Sequence, residues 1–306
     1  MALRKGQFGL FFLISVGFIA TLYVAELWAS ARLWDQTRAA LRKAHTQRLL
    51  SAVECASPSG LCLTSAPIIM PACDRPEYLS RVLASLRNST AAAHMVLIVS
   101  LDCDHDVDTL RLLSTAVPPH TVVLRHRKRW FGIPALFWTS EYFTSQNVRF
   151  VLETAFEELC APSAIVLESD IEVSRDFYEY FQWALSEGFE KLGEKLFTVG
   201  GYNYGGKVTD NLYEMRVTKF EVWGWAMSAF VWPYVRAEFT RTNNWDMNMN
   251  KIRTRHGLLS LLPTVGRTRH IGSKGINFEE GGSDRLLRVH LNNRPADYSA
   301  NRMRPV

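Results

Sequence analysis

Ala164-Ile165-Val166-Leu167-Glu168-Ser169-Asp170 is the stretch from which the rest of the chain is read. Four apolar residues make a buried strand, and two carboxylates stand where it ends. Charges at the carboxyl end of a buried strand are costly unless a cation sits against them. The simplest such cation is a divalent metal with oxygen ligands, and a metal in that place most often grips a diphosphate. The stretch therefore points to nucleotide-sugar chemistry, with Asp170 as candidate metal ligand. Glu168, two residues back, lies on the same side of an extended segment.

Working outward, strand and helix alternate from Pro67 onward. Ile68-Ile69-Met70 reads as a short buried strand. Beyond Pro76, Leu79, Val82, Leu83 and Leu86 fall at i, i+3, i+4 and i+7, one face of a helix. Val96 to Ser100 and Val122 to Leu124 read as strands, Thr109 to Ala116 and Phe143 to Leu159 as helices. Phe177, Tyr180, Phe181, Ala184 and Leu185 mark another helical face. This succession predicts an α/β fold, a mostly parallel central sheet with helices on both sides. After Lys195 the chain is richer in Gly, Trp and Asn and loses the rhythm. Shorter mixed strands and loops over the carboxyl edge of the sheet are expected there, and ligands bind at that edge.

The chain has 306 residues, 47% hydrophobic and 21% charged, a globular composition able to bury a sizeable core. A net charge of +5 suits an anionic small substrate or a membrane-side protein better than nucleic acid, because the basic residues are dispersed. Their one dense cluster, Arg125 to Arg129, reads as a solvated face. Residues 1–7, with Arg4 and Lys5, precede an uncharged apolar run from Phe8 to Ala25. Its eighteen residues suit an uncleaved membrane anchor over 8–27 with the rest of the chain lumenal, although Ala29-Ser30-Ala31 also offers a cleavage site. A span this short fits an early-secretory membrane. Residues 28–65 read as a stem and 66–306 as the catalytic domain. In that oxidising space Cys55, Cys62, Cys73, Cys103 and Cys160 cannot all pair internally. Asn88-Ser89-Thr90 is a glycosylation sequon.

Three polar turns close predicted strands: Cys73-Asp74-Arg75, Leu101 to Asp104, and Glu168 to Asp170. In a parallel sheet they face one crevice. Arg75 then pairs with a phosphate or nucleobase, and Asp102 accepts hydrogen bonds from uracil or ribose. Asp and Ser at such turns also cap helices, which is the expectation for Asp74 and Asp104. Asn243 to Asn250 surrounds Asp246 with amides beside Trp245. This is either a general base with a sugar-stacking surface or a polar helix start. Arg267 to Asn277 is basic and holds two glycines, either a loop over a diphosphate or an ordinary surface loop. Trp223-Gly224-Trp225 is explained by core packing, and His270 as a lone histidine is a weak metal candidate.

In order, these stretches resemble glycosyltransferase family 13, the N-acetylglucosaminyltransferase I and protein O-mannose N-acetylglucosaminyltransferase group. The resemblance runs over roughly residues 66 to 290 and rests on six motifs in one order. These are Pro71 to Arg75, Val99 to His105, Ile165 to Phe181, Trp223 to Trp225, Trp245-Asp246-Met247, and His270 to Asn277. It implies a GT-A type nucleotide-diphospho-sugar transferase fold. Asp170 would bind Mn²⁺, Glu168 and Asp102 would hold the uridine of UDP-GlcNAc, and Arg75 would contact the nucleotide. Asp246 would be the catalytic base, Asn277 would sit in a loop over the donor, and Cys73 and Cys103 would form a disulfide. Ser169 replaces the usual middle acid of the metal motif, and its hydroxyl remains able to hydrogen-bond a ribose. The family's second disulfide has no counterpart, and the chain ends soon after the donor loop. The implied activity is inverting transfer of N-acetylglucosamine to a mannose hydroxyl of a glycoprotein glycan, β-1,2-linked, in N-glycan processing at the Golgi membrane by a single-pass type II protein. An O-mannosyl acceptor, another donor sugar, or a non-catalytic membrane-anchored lectin are the alternatives.

Overall fold

Ile68–Ala72 (β1) is buried at every position and lies in the interior of the sheet, with a strand on either side. In this computed structural model the described residues are 66–102, 106–126, 140–203, 209–239, 244–272 and 289–305. The expected anchor and stem lie outside them, as do Cys55, Cys62, Cys103, Asp104, residues 127–129 and Asn277. No helix among the described residues is long and apolar enough to cross a membrane.

Helix α1 (Pro76–Arg87) opens with proline, whose missing N–H is an orphan in any first helical turn. Its Leu79, Val82, Leu83 and Leu86 are buried, as their spacing requires. Asp74 is exposed and does not cap this helix; Arg75 stands at the N-cap without a side-chain hydrogen bond. Val96–Leu101 (β2) and His120–Arg125 (β3) pair in parallel beyond β1. Between them lies α2 (Val107–Thr115), capped by Asp106, whose carboxylate accepts from the Thr109 amide at 3.0 Å. After α3 (Ser140–Glu153), Ser163–Val166 (β4) returns parallel to the other side of β1. The first half of the chain is thus the parallel sheet that its periodicity predicts.

The second half corrects the expectation. Leu196–Gly200 (β6), Glu214–Thr218 (β7), Trp225–Ser228 (β8), Leu259–Pro263 (β9) and Arg304–Pro305 (β11) do not cover the sheet but extend it, in the order β11-β7-β9-β6-β8-β4-β1-β2-β3. Strand β8 runs antiparallel to both β4 and β6, so the sheet is mixed beyond β4. The reason is visible in β6, where Leu-Phe-Thr-Val-Gly is buried throughout; a central strand tolerates its Gly and Thr because both faces are covered. Helix α1 and α4 (Phe177–Leu192) pack on one face. Helices α3, α5 (Trp232–Glu238) and α6 (Trp245–Arg255) pack on the other.

A separate two-stranded ribbon projects past the end of β4. Ile171–Val173 (β5) pairs antiparallel with Thr268–His270 (β10), setting His270 opposite Ile171. Arg267, at the foot of β10, is wholly buried. Its guanidinium donates to Asp176 Oδ2 (3.2 Å), the Leu212 carbonyl (2.9 Å) and the Tyr298 hydroxyl (3.0 Å), and lies 4.8 Å from the centre of the Tyr180 ring. Asn292 and Tyr298 also donate to Asp176. This knot anchors both the ribbon and the segment 289–305 to α4.

Candidate functional site

The three turns after β1, β2 and β4 converge, as parallel strands require. The Asp102 amide donates to the Ala72 carbonyl at 3.3 Å, drawing the β2 end against the turn that carries Arg75. Asp102 is buried there. At the end of β4 the chain turns sharply, the Ile171 amide bonding the Glu168 carbonyl at 3.1 Å, so Glu168 and Asp170 are held one residue apart. The β5–β10 ribbon then fixes Asp170 itself, since the Ile271 amide donates to its carbonyl at 2.9 Å.

Asp170 is buried, and its two oxygens have different surroundings. Arg75 Nη1 lies 2.9 Å from Oδ2, and His270 Nε2 lies 3.6 Å from the same atom, at the edge of hydrogen-bond reach. Oδ1 is buried with no hydrogen-bond partner among the described residues. Burial by itself would push this carboxyl up; the His270 hydrogen bond and the Arg75 charge outweigh it and hold the group below its ordinary value. Gly272 keeps the approach open, because a Cβ there would come within 2.9 Å of Asp170 Oδ2 and 3.0 Å of His270 Cε1. An orphaned hard oxygen beside an imidazole fits a divalent cation. No group of three or more His, Cys, Asp or Glu side chains among the described residues has metal-holding geometry.

Glu168 links this corner to the next. Burial, then repulsion from Asp170, pushes its carboxyl up to about 8 against the pull of Arg75, and Asp246 adds further repulsion. Asp246 therefore stands within electrostatic reach of the Asp170 corner, although the two are far apart in sequence. It sits in the first turn of α6, where a carboxylate also complements the helix dipole. Asn250, one turn on, clamps the Phe220 backbone from both sides, accepting from its amide at 3.1 Å and donating to its carbonyl at 3.2 Å. Trp245 stacks on Trp225 with ring centres 6.1 Å apart, fixing the start of α6 against the sheet.

Of the sequence-predicted residues, Arg75, Asp102, Glu168, Ser169, Asp170 and Asp246 fall along this edge, with Ser169 buried between the acids. Of the two readings of Asp246, the polar helix start is what the structure shows, in the first turn of α6. The basic loop is corrected: Arg267 is consumed by Asp176, and Arg269 pairs with Glu172, so neither is available to a diphosphate. Trp223-Gly224-Trp225 divides in function. Trp225 is core, whereas Trp223 is half-buried with its ring 6.4 Å from that of His270. Gly224 has φ +80°, and a Cβ would meet Thr268 Cγ2 at 2.6 Å, so only glycine lets the strand pass the ribbon. His270, discounted in the sequence as solitary, acquires Asp170 as a neighbour only through the β5–β10 register. Glu221, unremarked in the sequence, is buried and feels the charge of Asp246.

The turns that carry Arg75, Asp102 and Asp170 thus share one edge of the sheet. The GNT-I family model matches residues 32–304, and the chain belongs to that family. It is 23% identical over 240 residues to the alpha-1,3-mannosyl-glycoprotein 2-beta-N-acetylglucosaminyltransferase of Arabidopsis thaliana, covering 77% of this chain and 53% of the relative. The chain thus spans about half the length of that protein. Among solved structures, a nucleotide-diphospho-sugar transferase of Desulfovibrio desulfuricans G20 matches with TM-score 0.40 and 10% identity, over 64% of this chain and 78% of that one. S. aureus TarS 1-349 matches with TM-score 0.40 and 10% identity, over 65% and 57%. Family membership rests on the match over 32–304 and not on these distant structures.

Proposed function

We propose that the chain is an inverting, metal-dependent glycosyltransferase of the GT-A type that moves N-acetylglucosamine from UDP-GlcNAc to a mannose hydroxyl of a glycoprotein glycan. The linkage in this reading is β-1,2 and the process N-glycan maturation. The observation that carries it is the convergence of Arg75, Asp102 and Asp170 at the ends of parallel strands, with Arg75 Nη1 2.9 Å from Asp170 Oδ2, in a chain of the GNT-I family.

Asp170, with its unpartnered Oδ1, is the ligand for Mn²⁺. When bound, that cation supplies positive charge to the departing diphosphate. Arg75 and Asp102 hold the nucleotide, with Glu168 and Ser169 lining the uridine side; Asn277 belongs to the donor loop in the same reading. In the metal-free protein, burial and then repulsion from Asp170 push the Glu168 carboxyl up. Asp246 takes the acceptor hydroxyl proton as that oxygen bonds to C1 and the bond from C1 to the UDP oxygen breaks. The electron pair of the broken bond leaves with UDP. Attack from the face opposite UDP inverts the anomeric centre, the geometry of an inverting glycosidase with a sugar hydroxyl in place of water.

Cys73 is disulfide-bonded, its partner outside the described residues; Cys103 at the neighbouring strand end is the partner in this reading. Cys160 is free and exposed. The apolar run from Phe8 to Ala25 behind Arg4 and Lys5 supports a single-pass type II anchor in the Golgi membrane. The test is incubation with UDP-GlcNAc, Mn²⁺ and a panel of oligomannose and O-mannosyl glycans. A β-1,2-linked product on an oligomannose acceptor is expected. Product on O-mannosyl glycans alone would reassign the acceptor, and UDP binding without transfer to any of them would refute the enzyme reading.

A further inference from the structure

Glu221 belongs to none of the motifs that carry the family resemblance, yet its surroundings place it beside the base. Asp246 and Asn250 are four residues apart on α6 and share one helix face. Because Asn250 grips the Phe220 backbone on both sides, that face is pressed against the segment that bears Glu221. The Phe220 ring is turned into the core, 5.0 Å from Trp225 and 6.1 Å from Trp245. Glu221 is also buried, and it feels the negative charge of Asp246. Its ion pair is a long one, Lys219 Nζ lying 3.5 Å from Oε1. Two residues on, the half-buried Trp223 faces His270 and so leads back to the Asp170 corner.

A buried carboxylate within reach of another carboxylate's charge is unfavourable for folding, and among the described residues Lys219 and Arg216 offset it. Such a group is explained when a ligand supplies further donors. A sugar does this well: a carboxylate has two oxygens able to accept from neighbouring hydroxyls, and an adjacent indole offers an apolar face.

We propose that Glu221 determines acceptor specificity, its carboxylate accepting hydrogen bonds from the hydroxyls that flank the one presented to Asp246. This rests on the glycosyltransferase reading and deepens it on the acceptor side, where the chain's resemblance says least. Glu221 holds the acceptor ring, and Asp246 alone takes the proton.

The experiment compares wild type with Glu221→Gln, which keeps the size, and with Glu221→Ala. Each protein, loaded with UDP and Mn²⁺, is titrated with a methyl α-mannoside and with a mannose-terminated glycan, so that affinity is read without turnover. UDP affinity and thermal unfolding are measured on the same samples. Removing hydrogen bonds to a charged group predicts acceptor binding weaker by roughly 10- to 100-fold in both variants, with UDP affinity unchanged. In turnover the acceptor KM rises and the donor KM stays. Unchanged mannoside affinity in Glu221→Gln overturns the assignment and leaves the glycosyltransferase reading intact. A parallel fall in UDP affinity also overturns it, because the role is then structural or on the donor side. Wild type that binds UDP and no mannoside refutes the mannose acceptor itself, and the Glu221 role with it.

Discussion

Asp170 already has Arg75 at 2.9 Å, so a cation arriving at its free oxygen shares a carboxylate that is partly neutralised. Metal binding at such a site is weak without the diphosphate, whose phosphates both the metal and Arg75 attract. Asp170→Asn should therefore abolish the Mn²⁺ dependence of UDP affinity, read by titration with and without the metal; equal dependence in the variant rejects the ligand role. Asp246→Asn should lower transfer by roughly 10²- to 10⁴-fold, the range of general-base contributions, while UDP binding is retained. Turnover near wild type removes Asp246 from the mechanism. Glu168 gives a pH signature. Its unfolded carboxyl releases the proton near the ordinary 4.5, whereas the folded one keeps it to about 8, so between these the folded state holds more protons. Stability of the metal-free protein consequently falls as pH rises through that window, by up to about 1.4 kcal/mol per pH unit from this group. Glu168→Gln should narrow the difference in melting temperature between pH 5 and pH 8. A difference equal to that of wild type contradicts the raised carboxyl.

At the scale of elements, the site depends on two fastenings. The first is the β5–β10 ribbon, which sets His270 beside Asp170 and is tied down by Arg267 to Asp176. Removing one member of a buried ion pair costs about 3–5 kcal/mol because its partner is left uncompensated. Arg267→Met should lower the melting temperature by roughly 10 °C in a domain of this size. A fall within 2 °C shows that Asp176 finds enough donors in Ser174, Asn292 and Tyr298 without it. The second fastening is Asn250 on the Phe220 backbone. The Arg269 side chain belongs to the ribbon as well: it pairs with Glu172, which Arg81 of α1 also engages. Basic residues at strand spacing were indistinguishable from a basic loop because their carboxylate partners come from distant segments.

At the scale of the whole chain, every described site residue lies within the unit Leu49–Val306. Deleting residues 1–48 should leave Mn²⁺-dependent UDP affinity unchanged and move the protein from the membrane to the soluble fraction on centrifugation. Loss of UDP affinity rejects the independence of the unit, and membrane retention rejects the anchor. The sequence by itself determined the parallel half of the sheet, because buried strands and one-faced helices impose periods of their own on local apolar residues. It also determined the acids at the strand ends, since parallel strands must present their following turns to one edge. Tertiary structure alone decided that β6 to β9 widen the sheet, that Arg267 is a core residue, and that His270 stands beside Asp170. Each of these is a pairing between segments remote in the chain, and no local period records which distant strand or charge a residue will meet.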